Sequence, residues 1–252
     1  KINKLYLVED CAESMIARDE NKLITGSVGD ISCWSFQSAK QLTCGDGGIL
    51  TTNNAILAKR MRKFSNLGFR ILNAKSNKIV VTKDERQNPN YKRFDEIGFN
   101  YRMNEFSAAI ALAQCERVKF FVKKRRNAAL SLSNILKNNK YLIPQKIPKN
   151  AYSTYYTLAV KLVKNGKKNL SWSKFRKKFI EFGGDGIYAA SRLIHQEPAM
   201  KKNKIGKMSN KTPIASKLQK ELLLFTTNQS DQNEINIQTK ALKNTIKYFN
   251  IA

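Results

Sequence analysis

The sequence predicts an α/β fold on three observations. Short apolar runs end in polar or acidic residues, as strands do. Amphipathic stretches with helical spacing follow them, and glycine-rich turns join the two. Residues 4–9, LYLVED, read as a buried strand ending in two carboxylates. Residues 31–36 form a second strand and 48–52, GILTT, a third. Residues 54–66 place Ile56, Leu57, Met61 and Phe64 on one helical face, with Asn53 or Asn54 as cap and Gly68 as terminator. Residues 70–97 are polar and read as a long surface loop, a kind usually mobile or functional.

One long helical pattern runs from Asn104 to about Asn139, apolar in its first half and basic in its second. Such a helix commonly links two domains, and its apolar stripe reads as core packing. The basic run Lys123–Arg126 reads as a solvated face. Pro144 and Pro148 mark entry to a second unit. There 153–163 alternates like a strand, 171–182 reads as a basic amphipathic helix, and 184–190 contains a Gly-Gly-Asp-Gly turn in which Asp185 is a turn former. Two helices, about 213–225 and 231–249, close the chain. The expected domains are therefore 1–125, a partial large domain, and 126–252, a small α+β domain.

Bulk composition limits the function classes. Of 252 residues, 42% are hydrophobic and 26% charged, a globular balance. No apolar run approaches the roughly 18 residues of a membrane span, and the N-terminus carries no signal-peptide pattern. Cys11, Cys33, Cys44 and Cys115 show no CxxC and no metal spacing, which suits reduced thiols in a cytoplasmic protein. The net charge of +27 favours anionic partners. Its lysines, however, are spread along the whole chain, without zinc-finger spacing or an RNP-like aromatic motif, so neither a nucleic-acid nor a membrane partner is expected. The chain opens at Lys1, in what already reads as a strand, and is expected to be the later part of a longer protein.

The chemistry is concentrated in ISCWSFQSAKQLTCGDGG, residues 31–48. A loop lysine is by default a surface charge, and Asp10, after the first strand, is by default a cap or loop carboxylate. Together they read differently. Ligands of open α/β sheets bind at the carboxyl ends of strands. A lysine kept from water there gives up its proton more readily, and its neutral amine can attack a carbonyl. Glycines Gly45, Gly47 and Gly48 let the backbone turn tightly behind it. A pyridoxal phosphate site needs an amine, a carboxylate for the ring nitrogen and donors for the phosphate. Lys40, Asp10 and Ser35 are residues of those types.

Three stretches carry a resemblance: VEDCAES (8–14), GSVGDISCWSFQSAKQLTCGDGG (26–48) and GFNYRMNEFSAAIALAQCERV (98–118). They resemble the DegT/DnrJ/StrS sugar aminotransferases, whose pattern is roughly EDxAxxxG, then GxxGDxxxxSFxxxKxxxxGEGG, then GxNYRMxExxAAxxxxQLxRL. Segments 183–190 and 195–200, and more loosely 212–228, extend the likeness over nearly the whole chain. The resemblance implies a fold-type-I pyridoxal phosphate enzyme, with a mostly parallel sheet in the large domain, that aminates keto sugars on nucleotide carriers for amino-sugar and surface polysaccharide synthesis. Glutamate is the expected amino donor, and the expected assembly is a homodimer with a shared active site.

By the same resemblance, Lys40 matches the Schiff-base lysine and Asp10 the partner of the pyridinium nitrogen. Glu13 sits near the cofactor's phenolic oxygen, and Ser35 binds the phosphate. Asn100 reaches the phosphate across the dimer interface. Arg102, Tyr188 and the only histidine, His195, are candidates for substrate contact; as a lone histidine, His195 also reads simply as a loop residue, since the family's lysine moves the proton itself. The lysine, in place of the histidine of dehydrating members, implies transamination. Two mild departures are Asp46 for the usual glutamate and Met15-Ile16 where a glycine is usual. A larger one is the family's N-terminal portion, including a phosphate-binding segment and the aromatic that stacks on the ring, which has no counterpart here. Two other readings therefore stay open: a catalytically incomplete relative acting as a binding or partner subunit, and a basic nucleic-acid-binding protein.

Overall fold

The computed structural model describes residues 5–70, 82–164, 166, 170–202 and 212–251. The chain divides into two compact units, 1–118 and 119–252.

In the first unit, β1 (Val8–Asp10) pairs parallel with β2 (Ile31–Ser35), and β2 pairs antiparallel with β3 (Gly48–Thr51). The three form one sheet in that order. Helix α1 (Ala55–Ser65) starts where the Asn54 side chain accepts from the amides of Ile56 (2.9 Å) and Leu57 (3.2 Å). It stops at Asn66, and Gly68, at φ +76°, donates its N–H back to the Lys63 carbonyl. The polar loop contains a short helix, α2 (Lys83–Gln87), closed by a Thr82–Glu85 capping box; residues 71–81 of that loop lie outside the described residues.

The first strand is not buried as its apolar run implied. Leu5, Tyr6, Leu7 and Val8 are all exposed. The long helix is also not continuous: α3 (Glu105–Glu116) ends at Arg117, whose amide turns back to the carbonyls of Gln114 and Cys115, and α4 (Val118–Ile135) starts afresh. The apolar stripe of α3 differs from the core face expected of it. Only Ala111 is buried, while Phe106, Ile110 and Leu112 are exposed.

The second unit holds an antiparallel sheet in the order β4 (Leu142–Pro144), β5 (Thr157–Leu162), β7 (Leu222–Thr226), β6 (Ile187–Ala189). Period-two alternation buries Leu158, Val160 and Leu162 of β5 beside Leu223 and Phe225 of β7. Helix α5 (Trp172–Glu181) adds Phe175 and Phe179, one turn apart, whose rings meet Phe225 edge-on. After a 3-10 turn (Ile194–Gln196) and short helices α6 (Pro198–Lys202) and α7 (Pro213–Gln219), helix α8 (Gln232–Phe249) lays Ile235, Ala241, Leu242 and Ile246 on the buried side. The expected helix 213–225 is thus a helix followed by a strand: LLLFT pairs with β5 and β6. An apolar run of five residues fits a central strand as well as a buried helix, and only pairing partners decide.

Of the basic run on α4, expected as a solvated face, only Lys123 is exposed; the other three residues are partly buried. Arg125 donates to the Tyr156 carbonyl and to Thr227 Oγ1 (3.3 Å each), and burial draws its guanidinium pKa down. Arg126 lies over the Tyr152 ring at 3.9 Å and donates to the Ser153 carbonyl. Lys124 donates to the Ser230 carbonyl at 2.6 Å. These side chains tie the 152–156 segment and the β7–α8 turn to α4.

Candidate active site

The site is built on the carboxyl ends of β1 and β2. Parallel pairing sets Asp10 opposite Cys33, so Asp10 and Ser35 leave the sheet at the same edge. Asp10 Oδ1 accepts from the Ala12 amide at 3.1 Å and its side chain stands open to solvent. Ser35 Oγ accepts from the Gln37 amide at 3.3 Å, opening a chain of tight turns: Gln37 Oε1 accepts from the Ala39 amide and the Gln37 carbonyl from the Lys40 amide, both at 2.9 Å. Buried Phe36, Gln41, Leu42 and Cys44 anchor the loop from beneath.

Lys40 is thereby lifted toward the turn that follows β1. Its Nζ meets Glu13 Oε1 at 2.7 Å, with 18% of the lysine side chain exposed against 55% of the glutamate's. Gln41 holds the two segments together, its Oε1 accepting from the Met15 amide at 2.8 Å. The Gly45–Gly48 turn returns the chain to β3. At Gly47, φ +148°, an added methyl would press on Met103, so the 100–103 segment lies against the lysine loop.

Asn100 and Arg102 are exposed and joined to each other, Arg102 Nε donating to Asn100 Oδ1 at 2.8 Å. Their segment is sewn to the end of α1 by three amide bonds: Leu67 to the Phe99 carbonyl (3.1 Å), Phe99 to that of Phe64 (2.7 Å) and Tyr101 to that of Ser65 (2.9 Å). The structure thus brings Lys40 and Glu13 into contact and sets Asp10 and Ser35 on one sheet edge. Tyr188, exposed on β6, and His195, half-buried in the 3-10 turn, belong to the second unit.

Sequence reasoning missed Glu9. Its carboxylate accepts from the amides of Gly26 (2.9 Å), Val28 (2.9 Å) and Gly29 (2.5 Å), with Ser32 Oγ at 3.4 Å. On the neighbouring segment Asp30 Oδ2 accepts from the Leu7 amide at 2.9 Å. The two acids fix the 26–30 turn to β1 and so set how β2 presents Ser35. The signal was in GSVGD: small residues in a turn that free consecutive amides to converge on an anion. The Gly29 amide is the chief cause that holds the Glu9 carboxyl below its ordinary 4.5; partial burial opposes it, and the Gly26 and Val28 amides and the Ser32 hydroxyl add to it. A depressed folded-state pKa contributes stability above 4.5 that drains away as pH falls through the folded value. Glu9→Gln turns an amide NH2 toward at least one of those N–H donors. It should cost about 1–2 kcal/mol at pH 7 and flatten the dependence of Tm on pH below 4.5, as read by thermal melts across that range.

With the geometry in place, comparison with known proteins is direct. A model of the DegT/DnrJ/EryC1/StrS aminotransferase family matches residues 1–236. The chain belongs to this family. It is 33% identical over 164 residues to GDP-perosamine synthase of Escherichia coli O157:H7, a stretch amounting to 64% of this chain and 38% of that protein. It is 28% identical over 144 residues to UDP-4-amino-4,6-dideoxy-N-acetyl-beta-L-altrosamine transaminase of Helicobacter pylori, 57% of this chain and 34% of that protein. These matches span little more than a third of the length of those curated relatives.

Among solved structures, the aminotransferase from Psychrobacter cryohalolentis superposes with a TM-score of 0.83 at 22% identity, covering 99% of this chain and 64% of that one. Helicobacter pylori PseC, an aminotransferase involved in pseudoaminic acid biosynthesis, gives 0.72 at 20% identity, over 98% and 61%. At these identities the likeness is one of fold, and the fold is that of fold-type-I pyridoxal phosphate transferases.

Family membership makes one local departure informative. The glycine of the family's first motif falls on Ile16, which keeps the left-handed backbone at φ +52°. A β-branched residue there is strained by about 1–2 kcal/mol. Ile16→Gly relieves the strain while losing half-buried side-chain contact. Its net effect should stay within about 1 kcal/mol, whereas Ile187→Ala, which empties a fully buried site, should cost about 2–5 kcal/mol. Urea unfolding of the two variants makes the comparison.

Proposed function

We propose that the protein is a pyridoxal phosphate-dependent aminotransferase acting on a nucleotide-linked keto sugar, with glutamate as amino donor, in amino-sugar and surface polysaccharide synthesis. The observation that carries the reading is the Lys40 amine, shielded yet reachable, beside the strand ends that bear Asp10 and Ser35. The donor set fits the cofactor: one amine, one open carboxylate on the adjoining strand, and a hydroxyl at the end of the next. Lys40 would hold the cofactor covalently, Asp10 would keep its ring nitrogen protonated, Glu13 would lie by its phenolic oxygen, and Ser35 its phosphate, with Asn100 of a second copy completing the phosphate site in a homodimer.

Bound there, pyridoxal phosphate supplies an electron sink for proton removal from the carbon next to the amine. Asp10 supports that sink by keeping a positive charge on the ring nitrogen. Lys40 would hold and move a proton at its Nζ, a role its restricted exposure suits. In the first unit Arg102 is the proposed contact to the sugar nucleotide, its guanidinium offering a paired-donor fit to a phosphate; Tyr188 and His195, in the second unit, are separate proposals for substrate contact. Among the described residues no helix is long and apolar enough to cross a membrane.

The test is an absorbance titration of the purified chain with pyridoxal phosphate, followed by borohydride reduction and peptide mass analysis. A visible-edge band that survives dialysis, with the added mass on the Lys40 peptide, supports the reading. No band, or mass scattered over other lysines, would overturn it in favour of a binding or partner role without catalysis.

A further inference from the structure

We infer that Gln41 is a positioning residue: its buried side chain fixes the spacing between Lys40 and Asp10, the two groups that grip opposite edges of one flat, rigid ring. This rests on the reading of Lys40 and Asp10 as the cofactor's partners. Such a ring has no torsion with which to absorb a change in spacing, so the protein has to hold the distance.

The two groups stand on separate segments. Asp10 ends β1, and Lys40 rides the loop after β2. Backbone bonds shape that loop from within: the Phe36 N–H donates to the Gly47 carbonyl (2.9 Å), that of Cys44 to Phe36 (3.0 Å) and that of Lys40 to Gln37 (2.9 Å). The turn that leaves Asp10 has anchors of its own. The Cys11 N–H donates to the Cys33 carbonyl at 2.8 Å, and the Thr25 hydroxyl to the Ser14 carbonyl at 2.7 Å. Gln41 spans the gap between loop and turn. Its Oε1 accepts from the Met15 amide at 2.8 Å across 26 positions of sequence. The residue is 6% exposed, so water competes little for the bond. A main-chain N–H can only donate, which fixes how the Gln41 amide is turned. The Lys40–Glu13 contact crosses the same gap, but from an exposed carboxylate that water can reach. Ile16, beside Met15, keeps a left-handed φ of +52°, which a β-branched residue holds only where its surroundings enforce it. The Gln41 bond is part of that enforcement.

The experiment compares the parent chain with Gln41→Met, which keeps the side chain's length and loses its polar end. It reads hydrogen exchange over residues 11–17, pyridoxal phosphate fixed on the Lys40 peptide by borohydride, and reductive methylation of Lys40 by formaldehyde and cyanoborohydride. Exchange at the Met15 amide should quicken at least about tenfold. The pyridoxal phosphate concentration for half-capture should rise about tenfold. Methylation of Lys40 relative to the other lysines should stay within about twofold, because formaldehyde makes one bond and needs no spacing. Gln41→Asn, one methylene short of the Met15 amide, should show the same pattern, and it supplies the readout if thermal melts show Gln41→Met unfolded. Unchanged exchange, or unchanged capture beside a parent that captures, overturns the role of Gln41 alone. Methylation that rises as capture falls also overturns it, since a loosened loop rather than a lost spacing would be the cause. No capture in the parent overturns the reading of Lys40, and this role with it.

Discussion

Lys40→Ala should abolish covalent capture of pyridoxal phosphate and lower any transamination by at least about a thousandfold, while leaving the fold intact. The size follows from two roles lost at once. The amine is the only proposed nucleophile, and proton transfer by a positioned group alone contributes about 10²–10⁴. The intact fold follows from exposure: with Glu13 more than half open to solvent, its ion pair contributes no more than about 1 kcal/mol. Lys40→Arg sharpens the test, because a guanidinium keeps the charge and the pairing with Glu13 but does not give up its proton. Both variants should melt within a few degrees of the parent, and neither should show the borohydride-fixed mass. A fixed mass at full yield in either variant would mean that another lysine does the chemistry.

Gly68→Ala should be the most damaging single-methyl change in the first unit, at about 3 kcal/mol. At φ +76° an alanine is strained, and its methyl would overlap the carbonyl of Glu96, which is backbone and has no rotamer to yield. The left-handed penalty is about 1–2 kcal/mol, and forced overpacking adds about 1–3. Gly98 faces Gly68 across the same crossing, and a methyl there would overlap the Gly68 nitrogen. Two main chains pass where neither tolerates a side chain, and the segment leaving that crossing carries Asn100 and Arg102. Gly98→Ala should therefore reproduce the effect without the dihedral penalty. Urea midpoints of the two variants, with the Lys40-dependent band as a second readout, separate lost stability from lost site geometry. Midpoints equal to the parent's would mean that the crossing gives way easily.

Much of the architecture was legible because its signals are local. Asn54 before an apolar-spaced run marks a helix start, and alternation in 153–163 marks a half-buried strand, which the structure forms over Thr157–Leu162. What escaped was decided at a distance. LLLFT becomes a strand because β5 and β6 offer it partners. Arg125 and Arg126 leave the solvent because carbonyls of the 153–156 segment and a tyrosine ring receive them, which a charge count cannot see. At the candidate site, Lys40 and Asp10 stood out through motif spacing. Glu9 did not, because an acid beside a more prominent acid reads as redundant until the converging amides of Gly26, Val28 and Gly29 are located.

The uneven distribution of packing has a thermodynamic corollary. Eighteen buried side chains form the core of the second unit, whereas among the described residues of the first only Cys11, Phe36, Leu42, Cys44 and Ala111 are buried apolar groups. The described residues around Lys40 thus bury few apolar side chains among themselves. By mass action, a ligand at a hundred times its dissociation constant adds about 2.7 kcal/mol to the state it binds. That is about what full burial of one large apolar side chain contributes, so a ligand held at the Lys40 edge would act on these residues as one more piece of core.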